Sequence, residues 1–425
     1  MKKSSISIVL ILLFIICFSQ LVQALPTFSR KYETSCSTCH VAIPKLTAFG
    51  ESFRLNGYQI PEGDEEYLKE KPVSLGATPW KKVWPDAIWP GAIPGSFPLS
   101  AFIMSDVNQP LEGEEKEMEL EFPHEVEIFM AGTMGDDVPF FAEVEIEEGE
   151  VEAEAWVGFY NVFNSDRRTV NFRIGSFEIN PLPVAFDHLR LSKTHYLYNN
   201  WRMPGSENRF RLRGGKPGFE INGILGSGFY YSAGLVDPEG GFDSYGTIRF
   251  KLGGTPFDRS APTEEATKEA IGVKPTGFWI DNSFELAAFA YFGRAHVIGE
   301  VKDSFNRYGI GARWNYQNLH LSGGYLIGEN KDPYGRLSAQ SVDSRTWFVE
   351  ANYYIFPWLI AEARYESLEL DEPTDYRVTD IDQTNVIVGL SWTIRANIRL
   401  ITEATLYTKG VGKTDIFNVR LVFGF

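Results

Sequence analysis

The residues with the sharpest chemistry lie close together near the start of the chain, at Cys36-Ser37-Thr38-Cys39-His40. A C-x-x-C-H run puts two thiols where they can add to the two vinyl groups of a haem, and the adjacent imidazole can ligate the iron from one side. Cys36, Cys39 and His40 are therefore the candidate cofactor-binding residues, with His40 as an axial ligand of the iron in one covalently held haem c. Two thioether links matter because a segment of about 45 residues cannot bury a haem by hydrophobic contact alone. A thioredoxin-like disulfide pair would need a βαβ setting, which the surrounding sequence lacks. A closed zinc site needs about four ligands, and no second cysteine pair exists. The second axial ligand stays open among His124, His188, His195, His296 and His320, and Met104, Met118, Met130, Met134 and Met203. Electron transfer needs no general acid or base, so no catalytic side chain is expected.

The segment ahead of the motif bears on its chemistry. Lys2 and Lys3, the apolar run from Ile6 to Phe18, and Val22-Gln23-Ala24 read as a secretory signal peptide over 1–24. The apolar run is about 13 residues, short of the roughly 20 that a spanning helix needs. Cys17 leaves with this leader, so Cys36 and Cys39 are the remaining cysteines, in an oxidising compartment without a disulfide framework. The formal charge of −16 becomes −18 once Lys2 and Lys3 are removed. Such a chain is a poor partner for nucleic acid and a good one for cations or a basic protein.

The chain divides into units that would position the motif. Residues 25–71 form a monohaem cytochrome c segment. In it Pro44 can open a helix with Leu46, Phe49 and Phe53 on one face and Gly57 closing it. Residues 72–95 form a Pro- and Trp-rich linker, whose prolines at 72, 79, 85, 90 and 94 oppose both helix and sheet. From 96 to 425 the period is two. The C-terminus is the clearest case: Phe417, Val419, Leu421, Phe423 and Phe425 alternate with Ile416, Asn418, Arg420, Val422 and Gly424. Similar segments recur at 243–253, 305–315, 318–328, 343–355, 358–369, 383–394 and 396–408, the pattern of a transmembrane antiparallel β-barrel. Connections alternate between short (Gln317-Asn318, Phe356-Pro357, Arg395-Ala396) and long (179–206, 254–277, 329–342, 370–382). Membrane barrels keep long loops outside, which predicts that all four long ones share one end. Counting segments gives 18 strands, with 207–236 the least defined part. The loop 179–206 can fold inward, carrying His188, His195 and Met203.

Strand parity also predicts an acidic wall. Glu117, Glu119, Glu121, Glu125 and Glu127, then Glu143, Glu145 and Glu147, then Glu150, Glu152 and Glu154 oppose apolar neighbours such as Leu120, Ile128, Val144, Ile146 and Val151. Charge is costly against lipid, so the carboxylates should face the lumen. There they form either a hydrated ladder partly paired with Arg209, Arg211 and Arg213, or a surface guiding cations such as Fe²⁺.

The run Leu25-Pro26-Thr27-Phe28-Ser29-Arg30, the haem motif, Pro44-Lys45-Leu46 and Phe49 to Tyr58 resemble the fused cytochrome–porins. That family includes outer-membrane Fe(II) oxidases of iron-oxidising bacteria. The residue-level match covers about 25–58, and the barrel matches as architecture. The resemblance implies a barrel of about 16 strands, 16–18 at the outside, preceded by a small helical haem segment acting as a plug. It implies a protein embedded in outer-membrane lipid of a Gram-negative bacterium. Electrons would enter from extracellular Fe²⁺ and leave to a periplasmic c-type cytochrome. Rival readings are a conduit for other donors or acceptors, a transport porin with a redox-sensing haem, and a soluble periplasmic cytochrome.

Overall fold

In the computed structural model the described residues are 27–425 other than 61–63, 113–116, 148–149, 164–167, 183–190, 198–207, 259–278, 336–340, 372–381 and scattered shorter stretches, most of them within 70–97. The expected signal peptide, Leu25, Pro26, His188, Met203 and Arg209 lie outside the described residues.

The N-terminal segment contains α1 (Thr27–Tyr32), a 3₁₀ turn (Cys36–Thr38), the hairpin β1 (His40–Ala42) and β2 (Lys45–Leu46), α2 (Ala48–Leu55) and α3 (Asp64–Tyr67). Helix α2 starts later than Pro44 because Thr47 is the better cap, its Oγ1 accepting from Gly50 N at 3.0 Å. Pro44 instead occupies the turn between β1 and β2. The helix ends as expected, with Gly57 at φ +74° and Tyr58 N bonded to Phe53 O. The linker departs from expectation. It contains paired strands β3 (Val73–Ser74) and β4 (Ala92–Ile93) and, between them, α4 (Thr78–Val83). Pro79 is tolerated because it falls in the first turn of α4, where its missing N–H removes no helical bond.

Then sixteen antiparallel strands follow. The first eight are β5 (Leu99–Pro110), β6 (Glu119–Thr133), β7 (Pro139–Glu147), β8 (Glu150–Phe159), β9 (Asn171–Phe177), β10 (Lys216–Leu225), β11 (Phe229–Val236) and β12 (Asp243–Gly253). The rest are β13 (Ser283–Ile298), β14 (Val301–Tyr316), β15 (Leu319–Asn330), β16 (Val342–Phe356), β17 (Leu359–Asp371), β18 (Gln383–Arg395), β19 (Ile398–Lys409) and β20 (Ile416–Gly424). Each pairs with its sequence neighbours, and β20 closes on β5 with Val419 opposite Val107. At this seam Arg420 grips Asp106 bidentately, at 2.7 and 2.6 Å. Closure leaves no open sheet edge, which a bilayer requires.

The barrel's polarity is inverted relative to a soluble protein. Along β12, Thr247, Arg249 and Lys251 are buried in the lumen while Ile248, Phe250 and Leu252 are exposed outside. Only lipid makes such an exterior favourable.

Two expectations are corrected. The barrel has the expected sixteen strands, and the eighteen given by counting segments is corrected: 207–236 holds only β10 and β11. Residues 210–213 alternate as a strand would, yet Phe210 and Leu212 are buried in the lumen, Phe210 lying 4.6 Å from both Tyr291 and Phe305. The long loop between β12 and β13 also changes ends. It lies with the short turns 317–318, 357–358 and 396–397, at the end where β5 begins and β20 finishes. The expectation that 179–206 can fold inward holds for its described residues, with Leu191 packed on Val41 and Ala42 of the first hairpin.

Candidate cofactor cavity

The C-x-x-C-H motif is shaped by one tight turn. Ser35 Oγ accepts from Ser37 N, and Cys39 N donates to Cys36 O at 3.2 Å. In a 3₁₀ turn, residues three apart eclipse, so Cys36 and Cys39 face the same way. Both thiols are free and line one cavity with His40. Burial raises the pKa of Cys36 and pushes that of Cys39 up to about 12, so both are protonated thiols at neutral pH. His40 Nδ1 lies 2.9 Å from Pro44 O. A carbonyl can only accept, so Nδ1 carries the proton and Nε2 the lone pair. Burial also holds His40 below its ordinary pKa, which keeps the imidazole neutral and able to ligate a metal. A ligating histidine fixed through its other nitrogen by a backbone carbonyl is the usual arrangement at metal sites.

Helix α2 holds this turn in place. Thr47 N donates to Cys39 O at 2.8 Å, and Thr47 Oγ1 donates to Thr38 O at 3.0 Å. Gly50 is required by close approach: a Cβ there would sit 2.1 Å from Cys39 O. One residue on, Glu51 reaches Arg249 with Oε1 and Arg313 Nη2 with Oε2, the latter at 2.5 Å. Glu285 completes the cluster, accepting from Arg249 Nε at 2.7 Å and Arg313 Nη2 at 2.5 Å. Burial alone would raise the Glu51 pKa; Arg313, Arg249 and Lys251 outweigh it and hold the carboxyl well below its usual range. Further ties are Ser52 Oγ and Asn56 Nδ2 to Phe257 O, both 2.9 Å, and Arg399 Nη1 to Ile43 O at 2.6 Å. Phe257 belongs to the loop whose end was corrected above, so that loop latches the plug.

The cavity has a volume of about 360 Å³. Phe49, Phe53 and Tyr58 wall it from the plug, and Phe129, Phe141 and Trp156 from the barrel. Tyr58 bridges the two sides, with ring centroids 6.0 Å from Phe141 and 6.1 Å from Trp156. Two free thiols, a neutral imidazole with its Nε2 lone pair available, and a mainly aromatic enclosure fit a covalently tethered haem.

Among the described residues lining the cavity there is no methionine and no histidine beyond His40. His195 Nε2 is 2.8 Å from Glu350 Oε2, and His320 packs 4.6 Å from Tyr354. Met104 is buried with Ile43 and Phe102 in a cluster against which Cys36 packs. His296, Met118 and Met134 are exposed, Met130 is half-buried on β6, and His124 faces the lumen.

The acidic wall has the expected face. Glu125 and Glu127 are 3% and 4% exposed, while Ile128 and Ile146 are 41% and 40% exposed to the lipid side. Cross-strand register stacks the carboxylates in rows: Glu143 with Glu154, then Glu127 with Glu145 and Glu152, then Glu125 with Glu147 and Glu150. Glu127, Glu143 and Glu154 line the cavity, so the rows lead from it toward the end bearing 178–215. Arg211 meets Glu152 at 2.5 Å, and Arg213 meets Glu145 at 3.0 Å and Glu147 at 3.2 Å, as the charge pattern implied.

Sequence reasoning missed the Glu51–Arg249–Arg313–Glu285 cluster, whose members lie far apart in the chain and meet only when the plug docks. It also held His124 only as one of several open candidates for the second axial ligand. Strict alternation puts His124 on the lipid face with Phe122 and Val126. The register slips between Met104 and Asp106, where residues 122–124 of β6 span the single residue Ser105. Such bulges re-aim side chains, and Pro123 is the sequence signal that could have located this one.

A closed sixteen-strand barrel, apolar outside and charged within, is the fold of an outer-membrane porin. Among solved structures the chain is similar to the outer-membrane protein OmpT of Vibrio cholerae in its trimer form, at 12% identity and TM-score 0.50, over 78% of this chain and 99% of that one. It is similar to OmpF of Salmonella typhi in complex with daunomycin, at 11% identity and TM-score 0.50, over 79% and 98%. The anion-selective porin from Comamonas acidovorans matches at 9% identity and TM-score 0.53, over 78% and 99%. At such identities the likeness is one of fold. No family model matches the chain, and no curated protein matches it.

Proposed function

We propose that this protein is a fused monohaem cytochrome–porin of a Gram-negative outer membrane that oxidises extracellular Fe²⁺ and passes the electron to a periplasmic c-type cytochrome. The observation that carries this reading is the convergence of Cys36, Cys39 and His40 on one cavity inside the barrel, with His40 Nδ1 anchored on Pro44 O. A c-type haem bound there supplies a single one-electron couple. Cys36 and Cys39 would tether it, and His40 would ligate the iron from one face. Phe49, Phe129, Phe141 and Trp156 exclude water, which tunes the local dielectric. The glutamate rows draw cations from the far mouth. The end where β5 begins and β20 finishes, with the turns 226–228, 317–318, 357–358 and 396–397, is assigned to the periplasm by the rule for such barrels.

The plug and the inward-folded 178–215 both occupy the lumen, which favours electron passage over solute transport. Large conductance in planar bilayers, unchanged by Cys36→Ala with Cys39→Ala, would instead support a transport porin. A conduit for other donors rests on the same geometry, and iron separates the two. The outer-membrane fraction should show a c-type haem spectrum that turns reduced on adding Fe²⁺ at the growth pH. A colourless mature protein sinks the haem reading. A haem that dithionite reduces and Fe²⁺ does not sinks the iron reading.

A further inference from the structure

We infer that the outward face of β13–β15, at the extracellular rim, holds the phosphate-bearing headgroup of one outer-leaflet glycolipid, with an acyl chain in the groove below it. This site depends on the orientation assigned above and is independent of the haem. The lipid-facing residues of β13 run from Phe284 through Leu286, Ala288 and Ala290 to Phe292, a span of nine residues. That is the length of a strand crossing the hydrocarbon, and an aromatic ring marks each end. On β14 the same belt runs from Tyr308 to Tyr316. Phe292 and Tyr308 pack edge to face at its outer margin, centroids 5.7 Å apart.

Just beyond these rings the same face turns basic. Register sets Arg294 opposite Ser304 and His296 opposite Lys302, and Lys331 N donates to Ser304 O at 3.0 Å. Arg294, Ser304 and Lys331 thus form one row across three strands, with His296 and Lys302 in the next row outward. Neighbours in a row lie about 5 Å apart, and the rows about 7 Å. Arg294, His296, Lys302 and Lys331 are all exposed. Among the described residues no carboxylate pairs with any of them. Glu329 lies one row below, where it accepts from Asn306 Nδ2 at 3.4 Å. Arg345, the cation at the same rim on β16, is by contrast answered by Glu369 and Asp371. Like charges set across strands repel, and a bound anion removes that repulsion. A phosphate group offers several acceptor oxygens at once to ammonium and guanidinium donors.

The second observation is a groove of about 820 Å³ on the outward face of the same strands. Ala288, Ala312 and Gly323 floor it, and Phe250, Tyr325 and Trp347 wall it. It begins roughly 20 Å down the strands from Ser304, six residues at the rise of an extended chain and within reach of an acyl tail. A free anion would account for the basic rows and not the groove. A neutral lipid would account for the groove and not the basic rows. The outer leaflet of a Gram-negative outer membrane is built of phosphorylated glycolipid, which has both parts.

The probe is bisphosphorylated lipid A, titrated into the detergent-purified full chain and read by native mass spectrometry. One molecule should bind tightly per chain, and affinity should fall as salt rises. Lipid A stripped of both phosphates should bind at least tenfold more weakly. Lys302→Ala with Lys331→Ala should weaken binding at least tenfold, while Lys409→Ala, whose lysine pairs with Asp382, leaves it unchanged. Unaltered heat-modifiable migration establishes that each variant is assembled. Should the double variant fail to assemble, Lys302→Gln with Lys331→Gln carries the same test. Inorganic phosphate at millimolar concentration should leave the lipid bound. Displacement by it would mean a site for a free anion, and equal binding of the dephosphorylated lipid, or by an assembled double variant, would mean ordinary lipid contact; either result overturns the site. A colourless protein that binds lipid A keeps this inference and sinks the haem reading; a haem-loaded protein indifferent to the phosphates sinks this inference alone.

Discussion

The two sides of the lumen use charge in opposite ways. On the side of β12–β14 and β16–β19, buried charges are matched and hold something in place. Glu51 of the plug sits between Arg249 and Arg313 with Glu285 beneath, Lys45 approaches Glu350 at 3.8 Å, and Glu350 also meets His195 and Arg364. On the side of β5–β8, glutamates face glutamates across three strands, with Arg211 of the inward loop paired to Glu152 and Arg213 to Glu145 and Glu147. Like charges directly opposite destabilise a sheet. One wall is thus organised for docking, and the other carries a like-charge repulsion. The cavity lies between them.

The largest expected effect isolates the cavity from both walls. Cys36→Ala with Cys39→Ala should abolish covalent haem in a denaturing haem-stained gel while leaving barrel migration unchanged; haem surviving denaturation in that variant would refute the tether. Next comes the docking wall. Glu51→Ala leaves Arg249 and Arg313 to share Glu285 alone, and removing one partner of a buried ion pair costs about 3–5 kcal/mol. Limited proteolysis should then cut within 27–60 while the strands resist; a plug as resistant as wild type would show that Glu51 is not the anchor.

Acid tests the same residue. The folded Glu51 pKa is depressed, so its contribution is complete above the unfolded value, about 4.3, and fades as pH falls through the lower folded value. Plug protection should persist at pH 5 and weaken only below about pH 4, followed by the same protease assay. A smaller effect is expected at Gly50→Ala. The added Cβ must push Cys39 O or α2 aside, at about 1–3 kcal/mol, and the yield of haem-loaded protein should fall; full yield would mean the turn yields freely. The smallest belongs to the acidic wall. Glu127→Gln relieves a facing Glu145 and should change stability by less than about 1 kcal/mol. A loss comparable to Glu51→Ala in thermal melts would erase the contrast between the walls.

Much of this was legible in the chain because lipid imposes a strict period. Ile248, Phe250 and Leu252 had to share a face, and strand ends from 243 to 425 follow the alternation closely. The acidic wall followed from the same parity. What escaped were features set by contacts across the lumen. Phe210 and Leu212 alternate like strand residues but belong to a folded-in loop, and one strand added there shifts the parity of the 254–277 loop and puts it at the wrong end. Glu51 looks like an ordinary helix carboxylate until Arg249 and Arg313 arrive from strands some 200 and 260 residues away. His124 needed a bulge that alternation alone could not anticipate.

Closure of β20 onto β5 sets an order of events during biogenesis. The thiols of Cys36 and Cys39 end up behind a finished cylinder, so if the proposed haem is attached there, the enzyme that attaches it must reach the chain while it is still open. The seam needs Val419 and Arg420, which leave the export channel after the thiols. The interval between those two moments is the window for modification, and a barrel that shut early would be sealed without its passenger.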